Sequence, residues 1–274
     1  MAAILDLLLH ARYLAEKMAS HFHLPEFRYS KRPLAKTVAA EITSENSTSE
    51  PLLHGYYRTL LAAFGPQHWW PGRTRFEVIV GAILTQNTAW VNVERALGKL
   101  RHEKLLTSAA MERVPRARLA RLIRSSGYFR QKAKTLKSFV QFLRTQYAGS
   151  LTKMFNAPTE PLREQLLIVR GIGPETADSI LLYAGNHPVF VVDAYARRML
   201  ERHQLAHAKL PYEPIRKFFE ENLPKDVSLY NEFHALIVRT GKDYCRKENP
   251  RCSECPLQPL LPNTMQPISI RLVS

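Results

Sequence analysis

Apolar residues recur every three or four positions along most of this 274-residue chain, and this periodicity limits the fold more than any other feature. Strand-like runs are short, and the strongest of them, residues 188–192, is typical of an extended connector. No internal repeat is present. The sequence therefore predicts an all-α protein. The helical spacing covers residues 53–66, 75–86, 88–102, 161–170, 174–185, 194–203, 211–222 and 230–241.

The charge of the chain is strongly positive and unevenly distributed. A total of 39 Lys and Arg against 24 Asp and Glu gives a net charge of +15, a balance typical of proteins that meet polyanions. Residues 1–52 hold as many acidic as basic side chains, whereas residues 99–144 hold thirteen Lys or Arg and two acids. Some of these cations solvate helix surfaces, but so one-sided an excess favours phosphate contact by part of the stretch.

Several classes of protein are excluded by composition. No run approaches the roughly 18 apolar residues that cross a bilayer, and no basic segment precedes the apolar start, which Asp6 interrupts. Three cysteines, all within residues 245–255, argue against a disulfide framework and for a thiolate cluster in a reducing compartment. We therefore expect a cytoplasmic protein without a membrane partner.

The first 52 residues are expected to form a partly disordered leader and linker. Residues 4–19 have the spacing of one amphipathic helix, and residues 41–50 are polar and rich in Ser and Thr. The folded part is expected to begin near residue 53 and to leave residues 262–274 as a tail.

The most specific segment contains two closely spaced glycines, Gly171 and Gly173, followed by Pro174. A dinucleotide-binding loop is excluded, because Thr176 stands where its third glycine belongs and a helix precedes the turn. Glycines permit a sharp turn and close approach, Pro174 suits the first helical turn, and amides at such a helix start bind phosphate. A helix–hairpin–helix is predicted, with a plain helical corner as the alternative.

Asp193 follows the apolar connector and opens the next predicted helix, where a carboxylate is a good N-cap. The pairing of Gly171-Ile172-Gly173 with Asp193 resembles the helix–hairpin–helix DNA glycosylases of the endonuclease III superfamily. The resemblance covers about residues 53–260 and includes the segments 83–88, 127–133 and 234–241.

The resemblance implies two helical domains, with a barrel (75–187) inserted between the halves (53–74 and 188–261) of a second domain. It implies that double-stranded DNA lies across the cleft between them. The hairpin residues Gly171, Ile172 and Gly173 would hold the DNA backbone, and Asp193 would stand beside a flipped nucleotide.

One departure from the family decides the expected chemistry. Lyases of the superfamily carry a lysine two positions after the second hairpin glycine, where this chain has Glu175. A carboxylate cannot form an imine, so strand cleavage by β-elimination is not expected. Water would be the nucleophile, with Asp193 stabilising the positive charge at the sugar and orienting or deprotonating the water. Glu175 either assists or simply favours the helix start.

Further site residues are implied by the same resemblance. Trp69 and Trp70 are similar to the aromatic segment of the 3-methyladenine DNA glycosylase III branch, whose pocket prefers alkylated purines, and a cationic purine stacks well on an indole. Either indole could instead belong to the core. Gln86 matches the residue that fills the space left by the flipped base, and Asn87 and Lys132 are expected to contact DNA.

The cysteines match an iron–sulfur loop incompletely. Many family members hold a [4Fe–4S] cluster with the spacing C-x6-C-x2-C-x5-C, and Cys245, Cys252 and Cys255 match its first three positions. The fourth position is Leu261, whereas such clusters and structural zinc sites normally take four ligands. Three interpretations remain open: a cluster with an external or distant fourth ligand, a remnant without metal, or a C-terminus altered by a frameshift.

The sequence thus predicts a monomeric, monofunctional DNA glycosylase that hydrolyses the N-glycosidic bond of a damaged base, an alkylated purine, in base-excision repair. The alternatives are another specificity (uracil, mismatched thymine, adenine or an oxidised pyrimidine), a lyase that uses a different lysine, and a non-catalytic DNA-binding homologue.

Overall fold

The computed structural model describes residues 52–67, 69, 72–207 and 209–262. These residues belong to one compact unit, Ser49–Ser274. The predicted leader helix (4–19), the linker (41–50) and the tail beyond residue 262 lie outside the described residues, as does Trp70. No helix in the described ranges is both long and apolar enough to cross a membrane.

All regular elements in the described ranges are helical, which confirms the predicted all-α class. A π-helical turn, Ile180–Gly185, continues the helix Pro174–Ser179, and 3-10 turns occur at Arg124–Ser126, Cys252–Glu254 and Gln258–Leu260. The α-helices are α1 (Leu52–Phe64), α2 (Arg75–Thr85), α3 (Trp90–His102), α4 (Ser108–Arg113), α5 (Arg116–Leu122), α6 (Phe129–Tyr147), α7 (Leu151–Phe155), α8 (Thr159–Ile168), α9 (Pro174–Ser179), α10 (Ala194–Arg202), α11 (Tyr212–Glu221) and α12 (Val227–Asp243).

Side-chain caps fix where several helices begin. An oxygen of the residue before the helix accepts a hydrogen bond from a backbone N–H of the first turn, which satisfies a donor that has no partner within the helix. The capping residues are Thr74 before α2, Thr107 before α4, Ser150 before α7, Asp193 before α10 and Asp226 before α12.

Buried apolar side chains form two separate cores. One consists of residues between Phe76 and Val189, from α2 to just beyond the π-helical turn. The other combines Leu53, Tyr56 and Leu60 of α1 with Leu182 of the π-helical turn and with residues from Phe190 to Leu257. We interpret this arrangement as a barrel inserted into a second helical domain, and the boundaries at residues 75 and 187 stay a prediction.

The hairpin between α8 and α9 depends on one of its two glycines. Gly171 has φ +89°, and a Cβ there would lie 2.1 Å from the Thr135 side-chain oxygen. Gly173 has an ordinary φ of −97°, and a Cβ there would meet no atom within 4 Å. The turn therefore requires glycine at 171, whereas the expectation that both glycines serve the turn conformation is wrong for Gly173.

Candidate active site

The site is a cavity to which both cores contribute side chains. It encloses about 860 Å³ of empty space, counted up to and including its open mouth. Its walls come from the end of α2, the start of α3, the α9 segment with its π-helical turn, the start of α10 and one face of α12. The lining side chains include Trp69, Thr85, Gln86, Trp90, Glu175, Tyr183, Asp193, Tyr195, His234 and Lys242.

Asp193 uses its two carboxylate oxygens differently. Oδ1 accepts hydrogen bonds from the backbone N–H groups of Tyr195 (2.9 Å) and Ala196 (2.8 Å), so the predicted N-cap is present. Oδ2 takes no part in this cap and lies 3.5 Å from Nε2 of His234. The side chain is 15% exposed. The capping role therefore leaves one oxygen for chemistry in the cavity.

Opposing influences act on the pKa of Asp193. Burial raises it, because the charged carboxylate loses water. His234 and the two backbone N–H groups favour the charged form and outweigh burial, so the pKa lies below its ordinary value. Asp193 is consequently ionised at neutral pH.

His234 links Asp193 to a buried tyrosine. The residue is on α12 and is 4% exposed, and its Nδ1 lies 2.5 Å from Oη of Tyr183. Burial and the nearby carboxylates hold the pKa of Tyr183 well above its ordinary value, so its hydroxyl stays protonated. A hydroxyl that donates to Nδ1 leaves the proton of a neutral imidazole on Nε2, which faces Asp193.

His234 was not among the site residues predicted from the sequence. The available signal was a histidine on an otherwise apolar helix face, and that pattern is equally typical of a core residue whose ring is hydrogen-bonded. Only the fold, which packs α12 against α10, brings residue 234 within reach of residue 193.

Glu175 lies in the first turn of α9 and lines the same cavity as Asp193. The residue is exposed at the cavity mouth, yet the surrounding protein partly desolvates its carboxyl. This burial, followed by the charge of Asp193, raises the pKa of Glu175 to about 6. Both carboxylates are therefore mainly ionised at pH 7, and they make the cavity negative.

Aromatic rings and one cation complete the walls. Trp69 lines the cavity, and its role in a base pocket stays a prediction, while the structure of Trp70 is not described. Trp90 and Tyr195 also line it and were not among the predicted pocket residues. Lys242 Nζ lies 5.8 Å from the ring centroid of Trp69, within the range of a cation–π contact. The cavity thus combines flat apolar surfaces with charged groups.

Of the two adjacent predicted DNA-contact residues, Gln86 and Asn87, Gln86 contacts the hairpin. Gln86 Nε2 donates to the backbone oxygen of Gly171 (3.0 Å) and to the Thr176 hydroxyl (2.9 Å). Asn87 is exposed and has φ +50°. Gln86 therefore joins the end of α2 to the hairpin, and the amide lies beside the cavity that it helps to line.

Lys132 corrects the sequence analysis. Its residue is 2% exposed, and its Nζ donates to the backbone oxygens of Leu84 (2.9 Å) and Ser126 (2.6 Å). Burial lowers the pKa of this amine to about 8. The side chain satisfies buried carbonyls and cannot reach a phosphate, so its assignment as a DNA contact is wrong.

Other cations of residues 99–144 are also engaged within the protein. Lys137 Nζ donates to the backbone oxygens of residues 111 and 112. Three arginines form ion pairs: Arg101 with Glu77, Arg118 with Glu103 and Arg144 with Glu112. Part of the positive excess therefore stabilises the barrel and is not free to bind a polyanion.

A second cavity gathers the three cysteines. Cys245 is buried beyond the end of α12. Cys252, on the 3-10 turn that follows, and Cys255, directly after that turn, are half-buried. Leu261 lines the same cavity and has no ligand atom. As the side chains stand, no group of three or more His, Cys, Asp or Glu in the described ranges is close enough to hold a metal ion. The three thiols with Leu261 therefore do not fit a four-ligand site.

Comparison of the sequence with known proteins gives consistent matches. The model of the HhH-GPD superfamily of base excision DNA repair proteins matches residues 80–225. A Methanocaldococcus jannaschii protein, named as a candidate DNA repair glycosylase, is 46% identical over 209 residues, which cover 76% of this chain and 94% of that protein. Endonuclease III of Thermotoga maritima is 28% identical over 180 residues, or 66% of this chain and 79% of that protein.

Comparison of the structure finds the same kind of protein. Endonuclease III in a non-covalent complex with DNA superposes with a TM-score of 0.66 at 23% identity, over 76% of this chain and 93% of that chain; this similarity concerns the fold. The H. pylori 3-methyladenine DNA glycosylase bound to 1,N6-ethenoadenine gives a TM-score of 0.61 at 29% identity, over 69% of this chain and 96% of that chain.

Proposed function

Because the chain belongs to the HhH-GPD superfamily of base excision DNA repair proteins, we propose that it is a monofunctional DNA glycosylase acting on alkylated purines in duplex DNA. The observation that carries the proposal is an ionised aspartate, Asp193, facing an aromatic-lined cavity in which Glu175 occupies the position of the lyase lysine.

In the proposed reaction, the damaged nucleotide leaves the stack and its base enters the cavity. The indoles of Trp69 and Trp90 offer flat surfaces to an electron-poor purine. As the bond between base and sugar stretches, positive charge develops at the sugar, and Oδ2 of Asp193 stabilises it. A water molecule, oriented or deprotonated by the same carboxylate, completes the hydrolysis.

The proposed role of the hairpin is to hold the DNA backbone. Gly171 and Gly173 are exposed, and the N–H groups at the start of α9 have no partners within the helix. Phosphate binds well to such groups. The hairpin adjoins the cavity through Gln86, so a phosphate held there would lie near the flipped nucleotide.

Alkylated purines are favoured over neutral lesions by charge. Glu175 and Asp193 give the cavity negative charge, which complements a cationic base. The similar H. pylori enzyme, at 29% identity, is a 3-methyladenine DNA glycosylase bound to an ethenoadenine, which supports the same class of substrate for this chain.

A panel of duplexes, each with one lesion, tests this specificity. Duplexes with a cationic methylated purine should release free base, while uracil, mismatched thymine, adenine opposite a lesion, and oxidised pyrimidines should stay intact. The abasic strand should remain uncleaved until alkali is added. Release of only a neutral pyrimidine would contradict the proposed substrate.

A bifunctional lyase is the second candidate, and one observation favours it: the amine of Lys242 lines the cavity. Borohydride trapping separates the two functions. We expect no covalent protein–DNA adduct from the wild-type protein. An adduct that disappears in Lys242→Ala would establish a lyase and would overturn the monofunctional assignment.

A further inference from the structure

The apolar connector that leads to Asp193, residues 188–192, lies in the protein interior without a neighbouring strand. Each of residues 189–192 is at most 1% exposed, and within the described ranges no β-strand is present that could pair with them. A buried backbone N–H group needs an acceptor, because it has given up its hydrogen bond to water. The position of Asp193 therefore depends on what holds the connector.

Two side chains of α11 accept hydrogen bonds from the connector. The backbone N–H of Val192 donates to the hydroxyl oxygen of Tyr212 (3.2 Å), and the backbone N–H of Phe190 donates to Oε1 of Glu220 (2.9 Å). Alternate residues of an extended chain face the same side, so one helix can satisfy both groups. The residue directly before Asp193 is thus held by a tyrosine hydroxyl.

Tyr212 also contacts the chain that follows Asp193. The Arg197 guanidinium, in the first turns of α10, lies 6.0 Å from the centroid of the Tyr212 ring, at the limit of a cation–π contact. Nη1 of the same arginine donates to the backbone oxygen of Leu210 just before α11 (2.7 Å). Tyr212 therefore contacts the chain on both sides of Asp193.

A buried ion-pair network connects α11 to the helix that follows the hairpin. Arg163 of α8 donates to both carboxylate oxygens of Asp178 on α9 (2.6 and 3.2 Å) and to Oε1 of Glu213 on α11 (2.6 Å). The Arg163 and Asp178 side chains are 7% and 0% exposed. The Asp178 carboxylate is also hydrogen-bonded to Tyr212. A buried polar network whose members are paired holds its elements rigidly, so α11 is fixed relative to the hairpin.

We propose that Tyr212 and Glu220 are positioning residues for Asp193, whose free oxygen they place by holding the backbone of the connector. This inference rests on the proposed function, since it concerns the same reaction. Neither residue lines the cavity, so each acts through the backbone and not by contact with DNA. A misplacement of about 1 Å in a reacting group can lower a rate about a hundredfold, which makes the placement of the connector important for catalysis.

Tyr212→Phe tests this role, because it removes the hydroxyl and keeps the ring beside Arg197. Single-turnover release of a cationic methylated purine at saturating enzyme should fall about tenfold, while affinity for the duplex stays within about threefold of wild type. The reason is that Asp193 is misplaced while the hairpin and the cavity walls are unchanged.

Tyr147→Phe is the matched control. The Tyr147 hydroxyl of α6 donates to Oε1 of Gln165 on α8 (2.7 Å), and neither residue lines the cavity. This variant therefore removes a hydroxyl and its hydrogen bond from the barrel without affecting the connector. It should leave the rate of base release unchanged, even if it lowers stability.

Two variants of Glu220 keep the test decisive if Tyr212→Phe folds poorly. Glu220→Gln removes the charge that pairs with Arg216, but it keeps an oxygen that can accept from the N–H of Phe190, so its rate should stay close to wild type. Glu220→Ala leaves that N–H without its acceptor and should slow release. A rate in Glu220→Gln as low as in Glu220→Ala would refute the positioning role of Glu220.

Two further measurements separate positioning from a general loss of stability. In an Asp193→Asn background, Tyr212→Phe should have little further effect on the rate, because the group that it positions has already been altered. Hydrogen–deuterium exchange of the backbone amides of residues 188–197, followed by mass spectrometry, should be faster in Tyr212→Phe than in wild type. The same segment should exchange at the wild-type rate in Tyr147→Phe.

The inference and the proposed function fail in different ways. A wild-type rate in folded Tyr212→Phe, or an equal loss of rate in the Asp193→Asn background, would overturn the inference and leave the proposed function standing. If the wild-type protein releases no alkylated purine, the proposed function fails. Unchanged exchange of residues 188–197 in Tyr212→Phe would overturn the inference whether or not the wild-type protein releases a base.

Discussion

At the scale of single residues, one carboxylate oxygen of Asp193 caps a helix and the other faces the cavity. This division explains why its sequence position alone allowed both a structural and a catalytic interpretation. The capping N–H groups and His234 lower the pKa of the carboxyl and hold it in place. The proposed catalytic role requires a carboxylate that is ionised and correctly oriented, and the same contacts provide both properties.

Glu175 should produce an acidic limit in the pH dependence of base release. Its pKa of about 6 means that the carboxylate is present above that pH and is lost as the pH falls through it. Because the charge complements a positive sugar and base, single-turnover rates should fall below about pH 6. Glu175→Gln should lower the neutral-pH rate about tenfold and should remove the fall in rate at acidic pH. If the rate of Glu175→Gln still falls below about pH 6 as in the wild type, the fall belongs to another titratable group.

His234 should act through Asp193. His234→Gln should lower kcat by about tenfold or more, because the carboxylate loses its orienting partner, with little effect on KM. The acid limit that belongs to Asp193 should move to higher pH, since His234 lowers that pKa. In an Asp193→Asn background the same change should have little further effect. Additive losses in the double variant would show that the two residues act separately.

The two hairpin glycines should respond differently to alanine. Gly171→Ala places a Cβ against Thr135 at a positive φ and should lower the free energy of unfolding by about 2 kcal/mol. Gly173→Ala meets no neighbour and should leave stability nearly unchanged, while weakening DNA binding if the backbone there approaches a phosphate. Denaturant unfolding and fluorescence anisotropy measure the two effects. Equal destabilisation by both variants would refute this distinction.

α6 and the helices around it show, at the element scale, how far the sequence could predict the fold. Helix positions followed from apolar spacing, and Asp193 was correctly expected to cap α10. The sequence could not show which basic side chain of α6 would be buried, because Lys132 and its exposed neighbour Arg130 have the same local pattern. Burial of Lys132 depends on where the carbonyls of Leu84 and Ser126 lie in three dimensions.

Lys132 and Arg130 form a matched pair on α6. Lys132→Met should lower the free energy of unfolding by about 1–3 kcal/mol, because two buried carbonyls lose their donor. The folded-state pKa of about 8 lies below the unfolded value, so the unfolded chain binds more protons between about pH 8 and 10.5. Wild-type stability should therefore gain a rising contribution across that window, which Lys132→Met removes.

Arg130→Ala provides the contrast, because this side chain is exposed. It should leave the unfolding free energy unchanged within about 0.5 kcal/mol and weaken DNA binding at low salt if it contacts phosphate. A loss of DNA affinity for folded Lys132→Met equal to that for Arg130→Ala would contradict the internal role of Lys132.

The whole molecule joins its two cores around one cavity. The first core supplies Gln86, Trp90 and the hairpin segment, and the second supplies Asp193 and His234. The family and the hairpin could be predicted from local sequence motifs, since the residues that carry them, 171–193, are close in sequence. The contact of His234 with Asp193 could not be predicted in this way, because it depends on packing between helices that are distant in sequence.

Single-turnover release of an alkylated purine from duplex DNA by Asp193→Asn tests the central claim most directly. Asparagine keeps the size of the side chain and an oxygen that can cap α10, but it removes the charge. Release should fall by at least about a hundredfold, while affinity for the same duplex stays within about threefold of wild type. Release at the wild-type rate by a folded Asp193→Asn protein would contradict the account.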